Sequence, residues 1–177
     1  MRKLTILLIP LGIFLASNCM AQTNETRLKK YDEAYQKRIK KERLFGVYIP
    51  KDLGDAFAQL NKLISRESKN KFKNANEGVA IRKLHFSFGR WMIYNWGFYE
   101  GSRFSYYLKK LGIYDPDDMA RFVMTAYHRN LNKKPLEIKN LIEEIQANRK
   151  RIKEKRLRKG TVISKTTRKR PAAKSGN

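Results

Sequence analysis

Cysteine, histidine and negative charge are scarce in this sequence, and each shortage removes a class of function. A single cysteine among 177 residues excludes a disulfide framework and any cysteine-built zinc site. The two histidines do not stand a helical turn apart, so no transition-metal site is expected and no cofactor is called for. There is no glycine-rich phosphate loop and no Ser–His–Asp order of use to a hydrolase. Sixteen acidic residues face 40 basic ones, a formal net charge of +24, which directs attention to anionic partners. What is present is enough for a core. Hydrophobic residues make up 41%, with nine Phe, nine Tyr and two Trp, and this excludes wholesale disorder. The length suits one domain with extensions, or two very small ones.

No apolar run reaches the ~20 residues that a membrane-spanning helix needs. The longest, Leu4 to Leu15, follows the positive pair Arg2-Lys3 and precedes Cys19-Met20-Ala21. A charged start, a short apolar stretch and small residues at −3 and −1 describe a signal peptide over residues 1–21. Export through the Sec pathway is expected, with cleavage after Ala21 and a periplasmic or secreted product. Lipoprotein processing at Cys19 fits less well, because Asn18 occupies a place where a small residue is required. The mature chain would then carry no thiol, which suits an oxidising compartment.

The positive charge is concentrated at the C-terminus. Residues 22–45 carry a net +4, residues 46–148 a net +6, and residues 149–177 a net +12. The organisation expected is a charged helical extension (22–45), a helical domain (46–137), a basic amphipathic helix (138–159) and a disordered basic tail (160–177). Lys169-Arg170-Pro171-Ala172-Ala173-Lys174 looks like a nuclear-import signal and Asn24-Glu25-Thr26 like a glycosylation acceptor. An export signal of bacterial type makes both matches incidental.

No segment alternates with period two over any length, so the fold class is all-α. Leu28, Tyr31, Tyr35 and Ile39 put a thin apolar stripe on a helix from Asn24 to Leu44, which should lie against something. Pro50 breaks the chain, and Asp52 caps a helix bearing Leu53, Ala56, Phe57 and Leu60. Residues 65–76 form a short helix or loop. From Glu77 to Tyr94 one stripe holds Ile81, Leu84, Phe88 and Trp91/Met92, and a second holds Phe86 and Ile93. A helix so apolar is expected to be the central one. Ser102 caps the next helix and Gly112 ends it in the left-handed conformation, with Ile113 folding back on Leu108. Asp115-Pro116-Asp117-Asp118 then starts a helix with a cap, proline at its first position and acids at its positive end. Leu136 to Lys159 supply the last helix.

Several blocks recur together: Val47-Tyr48-Ile49-Pro50-Lys51-Asp52-Leu53, Leu84-His85-Phe86-Ser87-Phe88-Gly89-Arg90-Trp91, Asn95-Trp96-Gly97, Ser102-Arg103, Leu111-Gly112-Ile113-Tyr114-Asp115-Pro116-Asp117-Asp118-Met119 and Tyr127-His128-Arg129. In this order they resemble a bacterial domain of unknown function, DUF6794, over about residues 46–137. The resemblance implies a helical domain with those bounds and implies no reaction.

Chemistry, if there is any, falls to a few side chains. His85 is the candidate catalytic residue, as a general base or an anion-binding imidazole. Gly89, one turn on, leaves room beside it. The alternative is a packed, hydrogen-bonded histidine. Arg103 opens a helix after the Trp96-Gly97 turn, where free N–H groups also favour an anion. The alternative is pairing with Glu100, Asp115, Asp117 or Asp118. His85, Trp96 and Arg103 are thus the candidate ligand-binding residues, and no metal site is assigned. His128 and Arg129 stand at a helix C-terminus, where cations are favoured in any case.

The functional expectation is an exported, monomeric binding or interaction module for a protein or a small anionic ligand, without catalysis. Two alternatives stand beside it. One is an enzyme using His85 and Arg103 in a small cleft. The other is a binder of a polyanion or an anionic membrane surface through residues 149–177.

Overall fold

Asp115 starts the helix on which the rest is packed. Its carboxylate accepts hydrogen bonds from the N–H groups of Asp117 (3.0 Å) and Asp118 (3.4 Å), and Pro116 occupies the first helical position. In the computed structural model, which describes residues 25–158, this helix, α7 (Pro116–Leu131), is buried along most of its length. Met119, Ala120, Phe122, Val123, Met124, Ala126 and Tyr127 are all inaccessible to solvent. Before it come α1 (25–38), β1 (Arg43–Leu44), β2 (Val47–Tyr48), α2 (Leu53–Leu63), α3 (Arg66–Asn74), α4 (Glu77–Leu84), a π-helical turn (His85–Gly89), α5 (Arg90–Asn95) and α6 (Arg103–Lys110). After it comes α8 (Ile138–Arg158). Helices α3, α4, α5, α6 and α8 and the π-helical turn all pack on α7. The signal peptide expected over residues 1–21 and the disordered tail expected over 160–177 lie outside the described residues. Among the described residues, no helix is long and apolar enough to cross a membrane.

The all-α class is correct, and two local expectations are not. The first helix stops at residue 38, and Arg43–Leu44 pairs antiparallel with Val47–Tyr48 in a two-residue hairpin. Phe45 (φ 50°) and Gly46 (φ 82°) make its turn, the positive-φ pair whose twist suits a hairpin. Strands of two residues are too short for alternation to register in sequence. Of the short helix or loop expected over residues 65–76, the structure has the helix, Arg66–Asn74, capped by Ser65 and anchored by buried Phe72.

The second correction concerns the expected central helix. The backbone N–H of Arg90 reaches the carbonyl of His85, five residues back. The extra residue in that turn rotates everything after it by about 100° relative to a continuous α-helix. Phe86 and Ile93 therefore part company: Phe86 is 81% exposed while Ile93 is fully buried. The central position passes to α7.

Helix α1 is mostly exposed and is held at its end. Arg38 donates two hydrogen bonds to the Glu100 carbonyl (3.1 and 2.7 Å), and Tyr35 lies so close over Gly101 that any side chain there would run into its ring. At the end of α6, Gly112 N–H bonds Lys109 O and Ile113 N–H bonds Leu108 O, with Ile113 buried, as the helix-ending glycine requires. Helix α8 docks through Leu141, with Ile142 and Ile145 partly covered. From Arg149 to Arg158 every one of its residues is exposed.

Candidate functional site

The π-helical turn, the start of α7 and the distal half of α8 enclose a cleft of about 780 Å³. His85, only 4% exposed, forms its floor. Its Nε2–H donates to Asp117 Oδ1 at 3.0 Å, a carboxylate oxygen being able only to accept. Nδ1 is buried without a hydrogen-bond partner. It faces Gly89, where a Cβ would stand 3.1 Å from it and 3.3 Å from Met124 Sδ. The room that Gly89 provides is thus taken by the imidazole itself and by α7, and not by a ligand.

Cations line the walls. Arg149 on α8 bridges Asp115 (2.7 Å) and Asp118. Partial burial opposes its charge, but the two carboxylates outweigh that and raise its pKa. This bridge and the bond from Gln146 Nε2 to Gly112 O (3.1 Å) hold α8 against the start of α7. Arg90 bonds the Tyr94 hydroxyl (3.0 Å) and lies over its ring at 5.3 Å. Arg121, Lys153 and Arg156 also line the cleft, and none has an acidic partner among the described residues. Phe86 and half-exposed Ile152 supply its apolar surface. A second, mostly apolar cleft of about 380 Å³ adjoins it across Arg149, lined by Ile113, Tyr114 and Ile145.

Of the three expected ligand-binding residues, only His85 borders this cleft. Trp96 is fully buried, edge-on to Phe104 (5.3 Å) and Trp91 (5.8 Å). Arg103 serves another junction. Its Nε donates to Ile49 O (2.7 Å), its guanidinium covers the Tyr48 ring (5.0 Å), and Nη2 lies 3.9 Å from Asp55. Asp55 also accepts from Tyr48 Oη (2.8 Å) and Lys51 N–H (3.0 Å). Burial pushes its carboxyl up, but these donors and Arg103 together bring it below the usual range. Arg103 therefore ties β2 and α2 to α6, with a partner, Asp55, that its position in sequence did not suggest.

His128 donates from Nε2 to Ala75 O (3.0 Å), and Arg129 binds both Glu77 oxygens (3.3 Å each) and Leu136 O (3.0 Å). Both are fastenings between α7, α4 and the loop before α8. The cleft residues that sequence reasoning passed over are Asp117, taken as a helix-start acid or a partner for Arg103 and not for His85, Phe86, taken as core, and the α8 cations, counted with the tail. Among the described residues, no group of three His, Cys, Asp or Glu side chains is placed to hold a metal.

Residues 49–131 match the family model of a domain of unknown function, DUF6794. No curated protein and no solved structure matches the chain. The matched span lies inside the bounds expected from sequence. It holds His85, Arg90, Asp117 and Arg121, whereas the α8 wall lies beyond its end.

Proposed function

We propose that the chain is an exported, all-helical binding module that takes an anionic ligand in the cleft between the His85 turn and α8. The observation that carries this reading is the unspent charge there. Arg149 is used up on Asp115 and Asp118, whereas Arg121, Lys153 and Arg156 line the same space with no carboxylate partner among the described residues. Like charges gathered around one concavity repel each other, and an anion relieves that repulsion. Binding is favoured over catalysis because neither nitrogen of His85 is presented to a ligand: Nε2 is spent on Asp117 and Nδ1 is enclosed. Its role is to hold Asp117 down at the cleft floor. Support for export comes from the sequence of residues 1–21, a charged start, a short apolar run and small residues before Gln22.

Titration of the purified chain with inorganic polyphosphate tests the site. The double variant Arg121→Ala/Lys153→Ala should bind about tenfold more weakly, the loss of two charge-assisted contacts of modest strength. Lys62→Ala/Lys73→Ala removes the same charge from exposed places on α2 and α3 and should change affinity little. Equal weakening by both pairs would mean that overall charge, and not the cleft, holds the anion.

A further inference from the structure

The cleft contains one feature that a simple anion does not need. Phe86, on the π-helical turn, exposes 81% of its surface among cations. An aromatic ring so placed contributes little to the core. It is nonetheless held in orientation, since the His85 ring abuts it nearly perpendicularly (5.4 Å, 79°), and His85 is itself pinned by Asp117. A strip continues from it along the exposed side of the next helix. Arg90 follows, then Tyr94 beneath the Arg90 guanidinium (5.3 Å), then Tyr99 with its ring 6.1 Å from that of Tyr94. Tyr94 and Tyr99 are both more than half exposed. Ring, cation, ring and ring thus run in order out of the cleft, with Arg121, Lys153 and Arg156 at its inner end.

Building on the anion-binding reading above, we infer that the ligand is a single-stranded nucleic acid, with phosphates on the cleft cations and a base stacked on Phe86. The chemistry of each part fits. A single strand alternates anionic phosphates with planar bases whose faces are free, and proteins hold such strands with basic grooves interleaved with aromatic rings. Guanidinium predominates over ammonium here, and its planar fork suits phosphate oxygens. A duplex keeps its bases stacked on each other and would leave Phe86 idle. A lipid surface fits poorly, because Ile152 and Leu157 on α8 are five residues apart, about 140° around the helix, and make no continuous apolar face.

Fluorescence anisotropy of the full chain with a labelled oligothymidylate, against inorganic polyphosphate and a duplex as competitors, tests the inference. Phe86 is exposed, so its replacement should leave the fold intact, which melting will verify. Phe86→Ala should weaken oligothymidylate binding about tenfold and leave polyphosphate affinity unchanged, while Phe86→Trp should preserve both. Each cleft cation removed should lower the slope of log affinity against log salt by about 0.7. Unchanged oligothymidylate affinity in Phe86→Ala, or a duplex or polyphosphate that competes as well as the single strand, would overturn the single-strand assignment and leave the anion cleft standing. Failure to bind any of the three would overturn the anion cleft itself.

Discussion

Replacing Trp96 by alanine should nearly unfold the protein, whereas replacing Trp91 should not. The two tryptophans are five residues apart and stand edge to face at 5.8 Å, but they differ in burial. Trp96 is inaccessible to solvent and packs against Phe98 and Phe104 as well. Trp91 is only partly covered. An indole of about 200 Å² returned to water at ~25 cal/mol per Å² forfeits about 5 kcal/mol. Measured Trp→Ala losses in cores run at ~3–5 kcal/mol, and three aromatic neighbours place Trp96→Ala at the upper end. A domain of this size holds ~5–15 kcal/mol in all, so the melting temperature should fall by roughly 10–20 °C. Trp91→Ala gives up a partial face and should cost about 1–2 kcal/mol. Urea unfolding followed by far-ultraviolet circular dichroism measures both, and in each variant the remaining tryptophan gives an independent fluorescence trace. If Trp91→Ala costs as much as Trp96→Ala, the packing of α5 and the turn after it is wrong.

Tyr127 donates its hydroxyl proton to Asn61 Oδ1 (2.9 Å), and burial pushes its pKa up to about 12. A folded pKa above the unfolded value of ~10 means that its stabilising effect is complete below that pH and is lost as the pH rises towards 12. By pH 11 the loss should reach about 1 kcal/mol, and Tyr127→Phe should flatten this alkaline limb in pH-dependent urea melts. Asp55, with its pKa lowered by Lys51 N–H, Tyr48 and Arg103 against the effect of burial, acts in the opposite direction. Its contribution is present above the unfolded carboxyl pKa of ~3.9 and lost as the pH falls below it, so Asp55→Asn should be less stable near neutrality and flatter in acid. Arg149→Ala should speed hydrogen exchange along α8 and leave α7 protected, and Arg149→Lys should restore protection only in part, because one ammonium cannot fork between Asp115 and Asp118. Mass spectrometry of the exported protein should find Gln22 at its N-terminus, and a lipid on Cys19 or a retained Met1 would refute that cleavage.

What could be read from the chain was what depends on neighbours in sequence. Asp52, Ser102 and Asp115 cap the helices expected of them, because a cap is a bond to a backbone group two or three residues away. Gly112 and Ile113 end α6 for the same reason. The thin stripe on the first helix implied a support along its length, but Leu28 and Tyr31 are exposed and only its end is held, by Tyr35 and Arg38 on the Glu100–Gly101 loop. The π-helical turn was not legible, since residue periods presuppose an unbroken helix, and one extra residue was enough to turn Phe86 outward. The expected cluster of His85, Trp96 and Arg103 relied on the same unbroken period. His85 and Asp117 stand 32 residues apart, and Arg103 and Asp55 are likewise distant in sequence. Such pairings are chosen by tertiary packing among several acids of equal local merit, and nothing in the spacing ranks one above another.

The start of α7 links the fold to the proposed site. Acids gather there because a helix N-terminus favours them, and that local rule alone accounts for Asp115, Asp117 and Asp118. Each then acquires a second duty. Asp117 binds His85 and closes the cleft floor, while Asp115 and Asp118 together engage Arg149 and bring α8 alongside. The three carboxylates are therefore engaged by one guanidinium and one imidazole N–H, and Lys153 and Arg156 are left without an acidic partner among the described residues. Had docking used Lys153 or Arg156 as well, the cleft would be electrically closed. Because α8 lies beyond the span matched by the family, two of the three cations that would hold a ligand, Lys153 and Arg156, are carried by a helix outside that span.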